Sequence, residues 1–429
     1  MTGAIFANAT GIGGAIAVFR LSGTELGSIM DALAGGLPSP RRASLRRLRD
    51  PAGGTIDHAL VLWFPGPASV TGEDYAELHI HGGRAVAAAL TGALIALGAR
   101  PAEPGELARR AYGNGKLDLL QAEGIADLIA AETEAQRRLA LDQADGGMSA
   151  QIATWRADLI GLMARQAALI DFADEDLPVE VEDAMLRDMR ALHREIAQSI
   201  EGGRAAERIR EGIDIVVLGA PNAGKSTLVN ALAGEEVAIV SEMAGTTRDV
   251  VGVRLDLGGV PVRLLDTAGL RAAHDRIEAE GVRRAEAAAA RADLVLLCAA
   301  APEFKFVEAP GDRRVLRVAT KADLGGVVPR DALAVSARTG EGVQSLMAAI
   351  TDEVTALIAC GAGPSLPRPR QIACLREVAA ALQRAIGVAE PELRAADFQA
   401  AADALARLIG VIGVEDVLDR VFSSFCIGK

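Results

Sequence analysis

The sequence predicts a multidomain α/β and α protein: a small amino-terminal α+β domain, then an all-α domain with a P-loop α/β domain inserted into it. Three observations predict this. Ala/Leu/Ile/Glu/Arg runs spaced at three and four fill residues 119 to 210, as in LLQAEGIADLIAAETEAQRRLALDQA. Between about 213 and 350, short β-branched runs alternate with helical segments, the pattern of a mostly parallel sheet. After the Gly/Pro-rich CGAGPSLPRPR, helical periodicity returns from Gln371 and runs nearly to the end, so the two helical halves are expected to pack together around the insertion.

A chain of 429 residues suggests about three structural units at roughly 150 residues each. The expected boundaries are 1–115 for the amino-terminal domain, 116–210 and 361–429 for the two parts of the helical domain, and 211–360 for the insertion. The first segment is rich in glycine and turn signals, with strands expected in AIAVFRLSG and AELHIHGG. Its start, MTGAIFANATGIGG, lacks the basic region of a secretory signal. The uncharged stretch Ala85 to Ala99 is shorter than the ~20 apolar residues a membrane span needs, and reads as a packed core helix. Within the helical region, DFADEDLPVEVED reads as a solvated loop between helices. The insertion's strands are expected in IDIVVLGA, VRLLDTAG, DLVLLCAA, RVLRVATKAD and ALAVSA.

Half the residues are apolar, enough for a large core, and the net charge of −12 excludes a surface that grips nucleic acid all over while leaving room for a local basic patch. Cys298, Cys360, Cys374 and Cys426 show neither C-x-x-C pairing nor a His cluster, so no zinc site or disulfide framework is indicated, and reduced cytoplasmic thiols fit best.

The chemistry is concentrated in the insertion. GAPNAGKST, Gly219 to Thr227, satisfies G-x-x-x-x-G-K-[ST] between a strand and a helix. The glycines let successive backbone N–H groups turn onto phosphates, Lys225 neutralises their charge and Ser226 suits Mg²⁺, so Asn222, Ala223, Gly224, Lys225, Ser226 and Thr227 are expected to bind GTP. DTAG (Asp266, Thr267, Ala268, Gly269) ends a strand and places a carboxylate by the metal and an amide by the γ-phosphate. GTTRD lies in a switch segment running through Ser241, Glu242, Met243, Ala244, Gly245, Thr246 and Thr247, with Thr247 able to complete the Mg²⁺ shell. TKAD (Thr320, Lys321, Asp323) offers a carboxylate for the two guanine-edge donors that adenine lacks, and Ser336 and Ala337 of SAR cap the last strand. Four motifs in order, each at a strand end, predict a GTP site. Thr320 stands where the usual NKxD motif has asparagine; it keeps a hydroxyl but loses the carboxamide that ties this loop to the phosphate loop, so guanine preference is expected to be retained with weaker affinity.

With PNAGKST, AGTTRD and DTAGLR together, the chain resembles the MnmE (TrmE) family of tRNA-modification GTPases, and the resemblance extends through VTGEDYAELHIHGG, PGELARRAYGNGKLDLLQAEGIADLI and the terminal FCIGK. It implies a Ras-like GTPase domain, and a cytoplasmic homodimer whose amino-terminal domains bind 5-formyltetrahydrofolate or a related one-carbon folate through Arg20, Glu77, Lys116 and Lys429. It also implies a flavoprotein partner of the MnmG type that carries the FAD, and modification of the wobble uridine of certain tRNAs at C5. Carried over by motif, Asn222, Ser241, Met243 and Thr246 would hold K⁺, Ser226 and Thr247 Mg²⁺, and Glu278, Arg248 and Cys426 would be catalytic. The segment ATGIGGAIAVFRLSG departs from the family's PPGxGG spacing, which bears on the folate pose.

Two other readings compete. The same nucleotide motifs would serve a ribosome-assembly switch, which has no need of a terminal cysteine or folate motifs. Cys426 also falls at the C-a-a-X lipidation position, but Gly428 and Lys429 suit that motif poorly and no basic segment precedes it. A small buried hydrophobe is the default for a free cysteine, whereas a thiol beside Lys429 is a candidate for activation. GIGG at 11–14 is too short for a dinucleotide fingerprint, consistent with flavin on the partner, and no membrane association is expected. The tail itself is expected to be inserted and ordered.

Overall fold

The computed structural model describes residues 3–11, 13–171, 179–234, 252–266, 287, 289–308, 313–359, 368–410, 421, 422, 425 and 428. They divide into two compact units, Met1–Ala126 with Ala406–Lys429, and Asp127–Leu405.

The first unit contains β1 (Ile5–Asn8), β2 (Ile16–Ser22), α1 (Leu26–Ala34), β3 (Ser44–Arg49), β4 (Thr55–Phe64), β5 (Tyr75–His81), α2 (Arg84–Ala96), β6 (Arg100–Pro101), α3 (Glu106–Gly113) and the start of α4 (Leu119–Ala130). The sheet order is β3-β4-β5-β2-β1-β6, with β1 and β6 parallel and the other neighbours antiparallel. Alternation sets the faces: Ala17, Phe19 and Leu21 of β2 point into the core with Val61, Trp63, Leu78 and Ile80, while Arg20 and Glu77 point away. Leu26, Met30 and Leu33 of α1 and Leu90 and Leu94 of α2 cover the inner face. The stretch Ala85 to Ala99 thus does supply a packed core helix, and each fully buried Leu contributes about 1.5–3 kcal/mol. Strands β1, β3, β4 and β6 went unforeseen: SLRRLR and TIDHALVLWF break the apolar/polar alternation with charges or with a long apolar end, and β1 and β6 are only 4 and 2 residues long.

The second unit holds α5 (Glu134–Ala144), α6 (Gly147–Asp171), α7 (Val179–Glu211), β7 (Ile213–Gly219), α8 (Lys225–Ala233), β8 (Gly252–Leu257), β9 (Val260–Asp266), β10 (Leu294–Ala300), β11 (Arg314–Thr320), β12 (Ala332–Val335), α9 (Val343–Ile358), α10 (Pro369–Gly387) and most of α11 (Pro391–Ile409). The expected halves do meet: α10 packs along α7, the Gln166 amide donates to Pro391 O at 3.1 Å, and Arg368 pairs with Asp127 at 2.8 Å. The acidic break is shorter than the sequence suggested, since VEVED already lies in α7. Pro369 opens α10 at a helix's first turn, where a missing N–H costs nothing.

The insertion's sheet runs β12-β11-β10-β7-β9-β8. All pairs are parallel except β8 with β9. The five foreseen strands are present, and β8 is the addition. The switch in strand order beside β7 leaves a crevice at the carboxyl ends of the strands, where open α/β sheets bind ligands.

Candidate functional site

Strand β7 delivers Gly219 against β10 so closely that a Cβ there would lie 2.3 Å from Cys298 O, with φ at +153°. Asn222 and Gly224 adopt left-handed φ values of 61° and 81°, bending the loop over the start of α8 and aiming its amides and the helix N-terminus at one spot. Lys225 is buried, and its Nζ donates to Gly219 O and Ala220 O, each at 2.9 Å, so the ammonium lies along its own loop. Ser226 Oγ donates to Asp266 Oδ2 at 2.5 Å. That hydroxyl and carboxylate form the oxygen donor set that a hard cation such as Mg²⁺ prefers. Beneath them, burial pushes the Cys298 thiol up to about 12, so it is an inert packing group.

A cavity of about 390 Å³ opens beside this loop, lined among others by Gly224, Thr227, Thr320, Lys321, Asp323 and Ser336. Asp323 Oδ1 accepts from Ser336 Oγ at 2.7 Å, and Oδ2 accepts from Arg338 Nε and Nη2 at 3.1 and 2.7 Å. The Ser336 bond, then Arg338, hold this carboxyl below its ordinary value, so it is a ready acceptor for two guanine donors. The largely exposed Arg338 can swing aside without leaving a buried charge. Lys321 Nζ donates to Asn222 O at 2.8 Å.

Thr320 corrects one expectation. The residue is 4% exposed, and its hydroxyl lies 2.6 Å from Ala223 O in the phosphate loop and 3.1 Å from Ala299 O. The tie thought lost with the carboxamide is made by the hydroxyl.

The structure thus brings together Asn222, Ala223, Gly224, Lys225, Ser226, Thr227, Asp266, Thr320, Lys321, Asp323, Ser336 and Ala337 around one crevice. Ser241, Glu242, Met243, Ala244, Gly245, Thr246, Thr247, Arg248, Thr267, Ala268, Gly269, Glu278, Cys426 and Lys429 lie outside the described residues.

A second cluster lies on the outer face of the amino-terminal sheet. Arg20 and Glu77, directly opposite in the register, pair at 3.3 Å. Tyr75 OH donates to the same Glu77 at 3.0 Å, and His79 Nε2 lies 3.4 Å from it. Arg20 Nη1 also donates to Gly428 O at 3.3 Å, joining the chain's tail to this face. Lys116 is exposed, and a Cβ on Gly72 would sit 3.3 Å from its Cε, so the TGED turn and the NGK turn are neighbours.

What sequence reasoning missed is the frame under this cluster. Arg110 donates to Glu73 at 2.8 Å and to Glu106 at 3.1 Å, Arg100 donates to Glu106 at 2.8 and 2.6 Å, and Ser22 Oγ donates to Glu73 at 2.9 Å. The four-residue spacing of Glu106 and Arg110 was the available signal. The tail is seated by Phe422 and Phe425, buried against Ala122 and the Tyr112 ring. A Cβ at Gly105 would meet Phe422 O at 2.4 Å, so only glycine permits this approach.

Comparison with known proteins now decides the kinship. The family "MnmE helical domain" matches residues 119–426. "GTP-binding protein TrmE N-terminus" matches residues 4–116. The tRNA modification GTPase MnmE of Acidiphilium cryptum is 70% identical over 425 residues, 99% of this chain and 98% of that protein. The chain belongs to the MnmE family of tRNA modification GTPases. The MnmE of Gluconacetobacter diazotrophicus is 52% identical over 433 residues, with 99% and 98% of the two chains covered. Among solved structures, the G domain of the T. maritima FeoB iron transporter is similar over 34% of this chain and 98% of its own, at 22% identity and a TM-score of 0.24, too low to carry an argument. The crevice carries the GTPase motifs, and the second cluster lies within the stretch that the TrmE N-terminus family matches. Among the described residues no helix is long and apolar enough to cross a membrane.

Proposed function

We propose that this MnmE-family GTPase is K⁺-activated and works as a cytoplasmic homodimer. With an MnmG-type flavoprotein that carries FAD, it modifies the wobble uridine of certain tRNAs at C5 to an aminomethyl or carboxymethylaminomethyl-type group. In this reading the segments 1–115, 116–210, 211–360 and 361–429 are the dimerising folate-binding domain, the two helical parts and the GTPase domain between those parts. The observation that carries the proposal is the meeting at Arg20, where one guanidinium holds both Glu77 and the carbonyl of Gly428 in the terminal FCIGK. A nucleotide switch alone gives no reason to seat the tail on an arginine–glutamate pair.

Arg20, Lys116 and Lys429 would hold the glutamate carboxylates of a folate and Glu77 would accept from its pterin donors. When bound, the folate supplies a one-carbon unit at the oxidation level of formyl or methylene. Cys426 is assigned to catalysis beside it.

In the GTPase crevice, Lys225 leaves its loop carbonyls to meet the β- and γ-phosphates, and Asp323 reads the guanine edge. Ser226 and Thr247 would hold Mg²⁺. Asn222 with Ser241, Met243 and Thr246 would hold K⁺, which supplies charge where other GTPases use an arginine worth about 10³–10⁵ in rate. The fit is sound on the described side, since Ser226 and Asp266 already meet and Asn222 is held in a left-handed turn at the loop's outer edge. Glu278 orients the attacking water, with Arg248 in the switch.

GTP hydrolysis measured in K⁺ against Na⁺ at equal ionic strength tests the proposal. A markedly faster rate in K⁺ is expected, and equal rates would overturn the cation assignment.

A further inference from the structure

The amino-terminal sheet ends at β3, an edge strand with unusual chemistry for so acidic a chain. Five of the nine residues from 41 to 49 are arginines: Arg41, Arg42, Arg46, Arg47 and Arg49. Four are exposed and Arg46 is half-buried. Elsewhere, Arg100, Arg110, Arg137, Arg208, Arg263 and Arg384 each pair with a carboxylate. Among the described residues none of the five on and before β3 does. Arg41 donates to Ala68 O and stacks over Phe64 at 5.6 Å. Arg47 donates to His58 Nε2 at 3.3 Å. Asp57, across the register from Leu48, is already taken by His81 at 2.8 Å.

A few charges suffice to stop an edge strand from pairing with another chain. Five unneutralised guanidiniums in nine residues exceed that need, and their mutual repulsion is a standing cost unless an anion meets them. Guanidinium forks match phosphate oxygens in pairs; alternation puts Arg47 and Arg49 on one face of β3 about the buried Leu48, Arg46 on the other, and Arg41 and Arg42 just before the strand, so guanidiniums flank this edge from both faces. A chain with net charge −12 repels a polyanion over most of its surface, which focuses it on such a strip.

We propose that Arg41, Arg42, Arg46, Arg47 and Arg49 form a docking strip for the phosphate backbone of the tRNA substrate. The proposal rests on the family's action on tRNA and adds the surface that holds it. The strip reads backbone, not bases, so it serves several tRNAs equally.

The test uses the full-length chain and an in vitro transcript of a tRNA with a wobble uridine. Arg42→Glu, Arg47→Glu and Arg49→Glu are combined, leaving Arg41 on its phenyl ring and Arg46 in its half-buried place. GTP hydrolysis without tRNA and the melting temperature are expected to match the wild type. Affinity for the transcript should fall at least roughly tenfold at 0.1 M salt, and the slope of log affinity against log salt should shrink by about 2 to 3. Wild-type affinity and slope in the folded variant would overturn the strip while leaving the family function standing. A change in oligomeric state on sizing, with tRNA binding unaltered, would overturn it in favour of a seam between copies. No binding by the wild-type chain itself would overturn it as well, and would throw doubt on the tRNA reading beneath it.

Discussion

Replacing Thr320 by valine keeps shape and volume but deletes one hydroxyl. In the structure Thr320 is 4% exposed, and its hydroxyl lies 2.6 Å from Ala223 O of the phosphate loop and 3.1 Å from Ala299 O of β10. Its single proton serves one carbonyl at a time, so the loss is one buried hydrogen bond with an acceptor left short, worth about 1–2 kcal/mol. If the bond holds the guanine loop and the phosphate loop in binding register, GTP affinity falls about 5- to 30-fold. Calorimetric titration of Thr320→Val with GTP, GDP and ATP measures this, and Thr320→Ser, which keeps the hydroxyl, should stay near wild type. The GTP-over-ATP preference should persist, because Asp323 reads the base. Wild-type GTP affinity in the valine variant, with an unchanged melting temperature, would refute the claim that the hydroxyl replaces the asparagine of NKxD.

Other outcomes follow from the same geometry. Asp323→Ala removes the acceptor of two guanine donors and should weaken GTP roughly a hundredfold while ATP binding barely changes, read by the same calorimetry. Gly105→Ala forces a side chain into a left-handed turn against Phe422 O, costing about 2–4 kcal/mol from strain and overpacking, and should lower the melting temperature and speed carboxypeptidase release of the tail. Arg110→Met removes the guanidinium shared by Glu73 and Glu106, while Glu106 keeps Arg100 and Glu73 keeps Ser22, a loss of about 1.5–3 kcal/mol on thermal melting. Burial would raise the Glu106 carboxyl, but bonds from Arg100, the Glu103 amide and Arg110 outweigh it and hold it below its ordinary value. A lowered folded-state value means stabilisation that is present above the ordinary carboxylate range and lost as pH falls through the folded one. The melting-temperature gap between wild type and Glu106→Gln should therefore close in acid; a gap that widens there would contradict the network.

The legible parts of the molecule were those written in local chemistry. The phosphate loop announces itself because glycines, Lys225 and Ser226 must follow one another at fixed spacing, and the parallel strands because both faces are buried and so read as apolar runs. Strand β8 escaped because it is antiparallel at the sheet's edge and carries Arg254 and Asp256 among its apolar residues. β3 escaped for the same reason, its arginines hiding the buried Leu48. The reach of Thr320 to Ala223 spans 97 residues and depends on how two loops pack, which no local pattern encodes. The tail's seat depends on the small size of Gly105 facing Phe422 from the far end of the chain. The Arg20–Glu77 pair was found only through resemblance; as isolated strand charges the two residues look ordinary until the register sets them opposite each other.

The central claim is that GTP hydrolysis in this chain serves wobble-uridine modification. It is tested most directly by nucleoside analysis of total tRNA from a strain lacking the chain, complemented in parallel with the wild type and with Lys225→Ala. The C5-modified wobble uridine should vanish on deletion, return with the wild type, and stay absent with the variant whose phosphate loop has lost its cation. Unchanged modified uridine in the deletion strain would contradict the account.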